Sequence, residues 1–178
     1  MALHTLAVLV DNSPGVLARV AGLFSRRAYN IDSLAVGPTE NPEISRMTIV
    51  VNVEGHALEQ VIRQLDKLVN VIHIAEMKPS NSTQAELLMV KVKNSSEAKS
   101  IATKFGAKVV DENSDSITIE ATGSTENISE LLGSLKKIGI KELVQSGQVA
   151  LERGASALSE HTLEIQSVST DTQADYQN

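Results

Sequence analysis

Asp11-Asn12-Ser13-Pro14-Gly15-Val16-Leu17 is the stretch from which the fold can be read. It follows Leu6-Ala7-Val8-Leu9-Val10, a short apolar run of the kind that forms a buried strand. It precedes Val16, Leu17, Val20, Ala21 and Phe24, which recur at helix spacing. A strand therefore turns directly into a helix. Ser13 suits the N-cap, and Pro14 suits the first helical position, where a missing N–H is harmless. Gly15 removes a side chain where the helix begins, so another molecule can approach the main chain closely. The first turn of a helix presents unpaired N–H groups and a partial positive charge. A small carboxylate fits that end. Asn12 adds an amide that both donates and accepts, which suits a zwitterion. The same signals describe an ordinary capped turn, and the rest of the chain has to separate the two readings.

Outward from this turn, residues 3–10 read as a strand and 14–27 as a helix, with Arg26 and Arg27 in its last turn. Ala28-Tyr29-Asn30 makes the exit, where Asn tolerates a left-handed backbone. Ile31 to Val36 reads as a strand and 37–42 as a loop rich in Gly and Pro. From Ile44 to Val53 apolar Met47, Ile49, Val51 and Val53 alternate with Arg46, Thr48, Val50 and Asn52, which predicts a half-buried strand. Gly55-His56 opens a helix with the stripe Leu58, Val61, Ile62 and Leu65, and Asn70 to Glu76 gives a further strand. The order βαββαβ is the ferredoxin-like arrangement, with helices on one face of an antiparallel sheet. Residues 79–85, with Pro79, Ser80, Asn81, Ser82 and Thr83, read as a linker. The element order then repeats over 86–153 with little identity in sequence. This repeat lacks a copy of Asn12-Ser13-Pro14-Gly15. The expected organisation is an α+β protein of two tandem ferredoxin-like domains, 1–78 and 86–153. A polar tail, 154–178, is expected to be disordered.

Composition narrows the function. Aromatic residues make up only 2% of the 178, so the cores must be aliphatic and base stacking on aromatic rings is not expected. The formal charge of -6 and the absence of a dense Lys/Arg block argue against nucleic acid as a partner. There is no Cys, hence no disulfide and no thiolate metal site. No secretory leader and no apolar run of membrane-spanning length are visible, so a cytoplasmic location without membrane contact is expected. His4, His56, His73 and His161 carry no metal-type spacing. Asp111, Glu112 and Asp115 cluster in an expected turn, where solvated carboxylates are ordinary. Neither a glycine-rich phosphate loop nor a nucleophile elbow occurs. With no convergent nucleophile, base and orienting group, no catalytic residue and no metal ligand are assigned.

A resemblance adds to this. Asp11 to Leu17, then Val20, Gly22-Leu23-Phe24-Ser25-Arg26-Arg27, Tyr29-Asn30-Ile31-Asp32-Ser33-Leu34 and Ser45-Arg46-Met47-Thr48-Ile49 resemble the ACT domain of acetolactate synthase (acetohydroxyacid synthase) small subunits. Glu86 to Val92 and Ser146-Gly147 resemble the second domain of the same family. The resemblance implies a regulatory chain that is not an enzyme by itself. Its partner would be a large catalytic subunit carrying thiamine diphosphate, Mg and FAD, while this chain binds no cofactor. That partner joins two pyruvates, or pyruvate and 2-oxobutanoate. The small subunit would raise this transferase activity and confer feedback inhibition by valine, in branched-chain amino-acid biosynthesis. ACT modules pair, so a homodimer with the effector at its interface is implied. Asn12, Pro14, Gly15, Val16 and Leu17 match the effector loop; Asn30 and Ile31 match the part supplied by the neighbouring chain. A free-standing amino-acid sensor acting on another enzyme or a transcription factor is the alternative.

Overall fold

The computed structural model describes residues 2–155, 157, 158 and 160; Met1, Ser156, Ser159 and 161–178 lie outside the described residues. Most of the tail expected to be disordered, with His161, therefore lies outside them too. The chain divides into two compact units. One comprises residues 1–83 with the chain from Ala150 onward, and the other Gln84–Val149.

In the first unit, β1 (Ala2–Asp11), α1 (Val16–Ser25), β2 (Ile31–Pro38), β3 (Ile44–Val53), α2 (Gly55–Asp66) and β4 (Val71–Glu76) follow in βαββαβ order. The sheet runs β2-β3-β1-β4, antiparallel at each contact. This is the ferredoxin-like topology expected from the element order. Leu6, Val8 and Val10 point to the helices and join Val20, Leu23, Phe24, Met47, Ile49, Val61 and Leu65 in an almost wholly aliphatic core. Ala7 and Leu9, on the opposite face, pack with Ile44, Met77, Ala150 and Leu158. Both faces of β1 are thus covered, which is why its sequence is an uninterrupted apolar run.

Three expectations are corrected. β3 is not half-buried: Thr48 and Val50, on the face predicted to be accessible, are 3% and 5% exposed. The chain does not leave the first unit for good at residue 78. Ala150 and Leu158 return to pack with it. The linker is also shorter than 79–85, because β5 (Ser82–Lys93) begins at Ser82. The returning chain is pinned at Arg153, whose N–H donates to the Asn81 carbonyl (2.8 Å) and whose Nε donates to the Ser82 carbonyl (3.0 Å). Thr48 and Val50 fit a strand pattern with one wet face, and nothing in the local alternation announces that this face is covered.

The exit from α1 also differs from expectation. The helix stops at Ser25, with Arg26 as its C-cap, so neither arginine lies in its last turn. The left-handed residue is Ala28, at φ +55°, and not Asn30. An L-residue with a Cβ is strained there by about 1–2 kcal/mol. Replacing Ala28 with Gly relieves that strain but loosens the unfolded chain by about 0.4–1 kcal/mol. The net expectation is a gain of about 0.5 kcal/mol in urea denaturation; a loss would mean that Ala28 makes contacts which outweigh its backbone geometry.

The second unit repeats the plan with β5, α3 (Ser96–Lys104), β6 (Lys108–Glu112), β7 (Ser116–Gly123), α4 (Thr125–Lys136) and β8 (Ile140–Gln145), its strands running β6-β7-β5-β8. A short β9 (Val149–Glu152) follows. Leu88, Val90, Val92, Ile117, Ile119, Ile128, Leu131 and Leu135 fill the core. Glu86 is buried, its carboxylate accepting from the Thr125 hydroxyl and the Gln145 amide. Glu112 is not simply a solvated turn residue. It ends β6, and hydrogen bonds from Lys99 and then Asn94 hold its carboxyl below the usual carboxylate range.

Candidate functional site

The turn after β1 is built differently from its expected form. α1 starts at Val16, and Gly15 is the residue before it, at φ +84°. No side chain caps this helix. Ser13 is therefore not the N-cap, and Pro14 is not the first helical residue. The left-handed step at Gly15 swings the chain away from the helix axis before Ser13 is reached, so the Ser13 hydroxyl does not serve the first-turn amides. Ser13 instead turns the main chain, its N–H donating to the Asp11 carbonyl (2.9 Å) and its carbonyl accepting a long bond from Val16 N–H (3.5 Å). The first main-chain bond of the helix runs from Arg19 N–H to the Gly15 carbonyl (3.0 Å). Leu17 and Ala18 thus carry amides that lack an intrahelical acceptor by their position in the first turn.

The corresponding turn of the second unit behaves in the opposite way. There Ser95 caps α3, its hydroxyl accepting from Ala98 N–H at 3.1 Å. The first unit leaves open the helix end that the second unit closes.

Around the open end the side chains are ordered. Asn12 donates its Nδ2 to the Pro42 carbonyl (2.8 Å) and its N–H to the Glu43 carbonyl (2.7 Å). Its amide is thereby oriented by the 39–43 loop, and its own oxygen is the group suited to accept from an ammonium. Val16 is buried at 3% exposure, so it offers only its main chain, whereas the Leu17 side chain is 44% exposed. Arg19, one turn along, stands over Gly15: a Cβ added to Gly15 would meet its Nη2 at 3.7 Å. Arg19 Nη1 donates to Asn70 Oδ1 (2.9 Å), and Asn70 Nδ2 donates to Asp11 Oδ2 (2.9 Å). The sequence reading missed both Arg19 and Asn70. Arg19 was detectable as a cation four residues beyond Gly15, hence on the same helical face. Asn70 gave no signal.

The expected site residues fall into two groups. Asn12, Pro14, Gly15, Val16 and Leu17 lie at the end of β1 that pairs with Ile44. Ile31, half-buried against the core, opens β2 opposite Val51, with the exposed Asn30 just before it. Asn30 Nδ2 donates to Asp32 Oδ1 (2.6 Å). Ile44 and Val51 are seven residues apart along β3, so the two groups stand roughly 24 Å apart along the strand. One chain does not bring them together around a small molecule.

His4 Nδ1 lies 2.8 Å from Glu76 Oε1. Among the described residues no cluster of three or more His, Cys, Asp or Glu could hold a metal, and no helix is long and apolar enough to cross a membrane.

Against known families, residues 6–73 match the AHAS small subunit-like ACT domain, and residues 85–154 match the small subunit of acetolactate synthase. This chain belongs to the acetolactate synthase small-subunit family. The acetolactate synthase small subunit of Mycolicibacterium smegmatis is 52% identical over 155 residues, spanning 85% of this chain and 91% of that one. A probable acetolactate synthase small subunit of Archaeoglobus fulgidus is 46% identical, spanning 85% and 97%. The crystal structure of the acetolactate synthase small subunit from Thermotoga maritima superposes with a TM-score of 0.82 at 31% identity, covering 88% of this chain and 100% of that one. The small-subunit match runs through both units, so the first is an ACT domain and the second the family's C-terminal domain.

Proposed function

We propose that this chain is the regulatory subunit of an acetolactate synthase, sensing a branched-chain amino acid, valine, at the turn Asp11–Leu17. The observation that carries this reading is the helix start at Val16, which has no cap and is preceded by a left-handed glycine, in a chain of the small-subunit family. The carboxylate of valine would accept from the first-turn amides of α1, where the helix dipole favours negative charge. Its ammonium would meet the oxygen of Asn12, or Asn30 of a second copy. Leu17 and Ile31 would line the branched side chain. The 24 Å between the two residue groups within one chain supports a site shared by two copies. Binding there would favour one arrangement of the dimer, and would reach the enzyme only if the large subunit holds the two arrangements differently. Thiamine diphosphate, Mg and FAD would belong to that large subunit.

The test is reconstitution. The chain is mixed with its large subunit, and acetolactate formation is followed with and without it during a valine titration. The expected result is a higher rate with the chain present, and inhibition by valine that appears only then. A coupling of ~1–3 kcal/mol corresponds to roughly a 5–150-fold change in valine affinity on assembly. If the large subunit has the same rate and the same valine response alone, the reading fails.

A further inference from the structure

The first unit contains a cavity of about 410 Å³ on the sheet face that carries Leu9, away from the helix-packed core. Its size lies within the roughly 300–1,000 Å³ of small-molecule sites. Leu151, Ala155 and Ala157 supply apolar wall; Arg46, Glu40 and Glu152 supply charge. Arg46 extends from β3, half-buried, and its Nη2 donates to the Ala150 carbonyl at 2.7 Å. That is the one acceptor the guanidinium has among the described residues, although it carries five N–H groups. Burial disfavours its charge, and Glu40 opposes that effect only in part. A partly desolvated guanidinium with spare donors is suited to a carboxylate, which it can grip with two parallel bonds.

A bare carboxylate is not the best match. Two glutamates and one arginine line the cavity, so an anion meets net negative charge. A molecule carrying both a carboxylate and an ammonium satisfies both signs, and an aliphatic body fits against Leu151, Ala155 and Ala157. We propose that this cavity binds an aliphatic α-amino acid, as a second site distinct from the turn at Gly15. It goes beyond the regulatory reading above and does not depend on it. Unlike the turn, it is complete within one chain, because each lining residue belongs to the first unit.

The experiment is equilibrium dialysis of labelled L-leucine against the full chain carrying Gly15→Asp, which removes the turn as a binding place. Retained binding, weakened about tenfold or more by Arg46→Gln, is expected. 4-Methylpentanoate, which is leucine without its amino group, is expected to compete about tenfold less well than leucine. Glu40→Gln should narrow that gap. Glu40 sits on an exposed loop, so this variant tests the site even if Arg46→Gln loosens the returning chain. Absence of leucine binding to the Gly15→Asp chain at millimolar concentrations overturns the proposal. So does binding that neither the Arg46 nor the Glu40 variant alters. A valine response untouched by Gly15→Asp would sink the turn as effector site, and the Arg46 and Glu40 variants would still decide the cavity.

Discussion

Gly15→Asp is expected to shift valine inhibition of the reconstituted enzyme by at least about 100-fold while leaving activation within about twofold, a loss of roughly 3 kcal/mol in effector binding. Three features of the turn support this. At φ +84° any side chain is strained by about 1–2 kcal/mol, and Asp is among the residues that tolerate the conformation best. The space itself is open: the nearest atom to an added Cβ is Arg19 Nη2 at 3.7 Å, an ordinary contact and a favourable one for a carboxylate. The variant therefore folds, and it carries its own carboxylate at the helix end where the ligand's should lie. Gly15→Ala separates charge from strain. It adds only a methyl group and should move the valine curve by about tenfold or less. An inhibition curve for Gly15→Asp that overlays the wild type would remove the turn from the effector site.

Phe24→Ala is expected to destabilise the first unit by about 3–5 kcal/mol, a large share of the roughly 5–15 kcal/mol that holds a typical domain. Phe24 is 1% exposed and fills the centre of a core whose other buried members are aliphatic. The chain has only two Phe and no Trp, and Tyr29, the ring packed against this core, is only partly buried. Urea denaturation of the full chain reads the loss. Because Phe24 anchors the helix that begins at the open turn, this variant should lose activation and valine response together, whereas Gly15→Asp separates them. A midpoint shift corresponding to less than about 1 kcal/mol would mean that the site collapses around the missing ring.

The sequence carried the fold well where the pattern was local. The helix stripe of Leu58, Val61 and Leu65 could be read from a few adjacent residues, and the structure keeps it. The details that escaped depend on distant chain. β3 looked half-exposed because its residues alternate, and its outer face is nonetheless buried. Ser13-Pro14 looked like a cap and a first helical residue because those types favour such positions. The left-handed Gly15 moves the helix start two residues on, and a propensity for capping does not reveal a backbone that turns away. For the candidate site, the turn was legible in its composition. The links from Asn12 to Pro42, and from Arg19 through Asn70 to Asp11, are tertiary and left no trace in local spacing.

Arg153 ties the end of the described chain to Asn81 and Ser82, and Leu158 rests against Leu9 and Met77. The first unit therefore draws on two stretches of the chain, with the second unit lying between them in sequence. A fragment expressed to residue 83, chosen because the repeat makes that boundary look natural, would lose Ala150 and Leu158 and bare an oily strip along its central strand. Such a fragment should self-associate, and a circularly joined version restoring residues 150–160 should not.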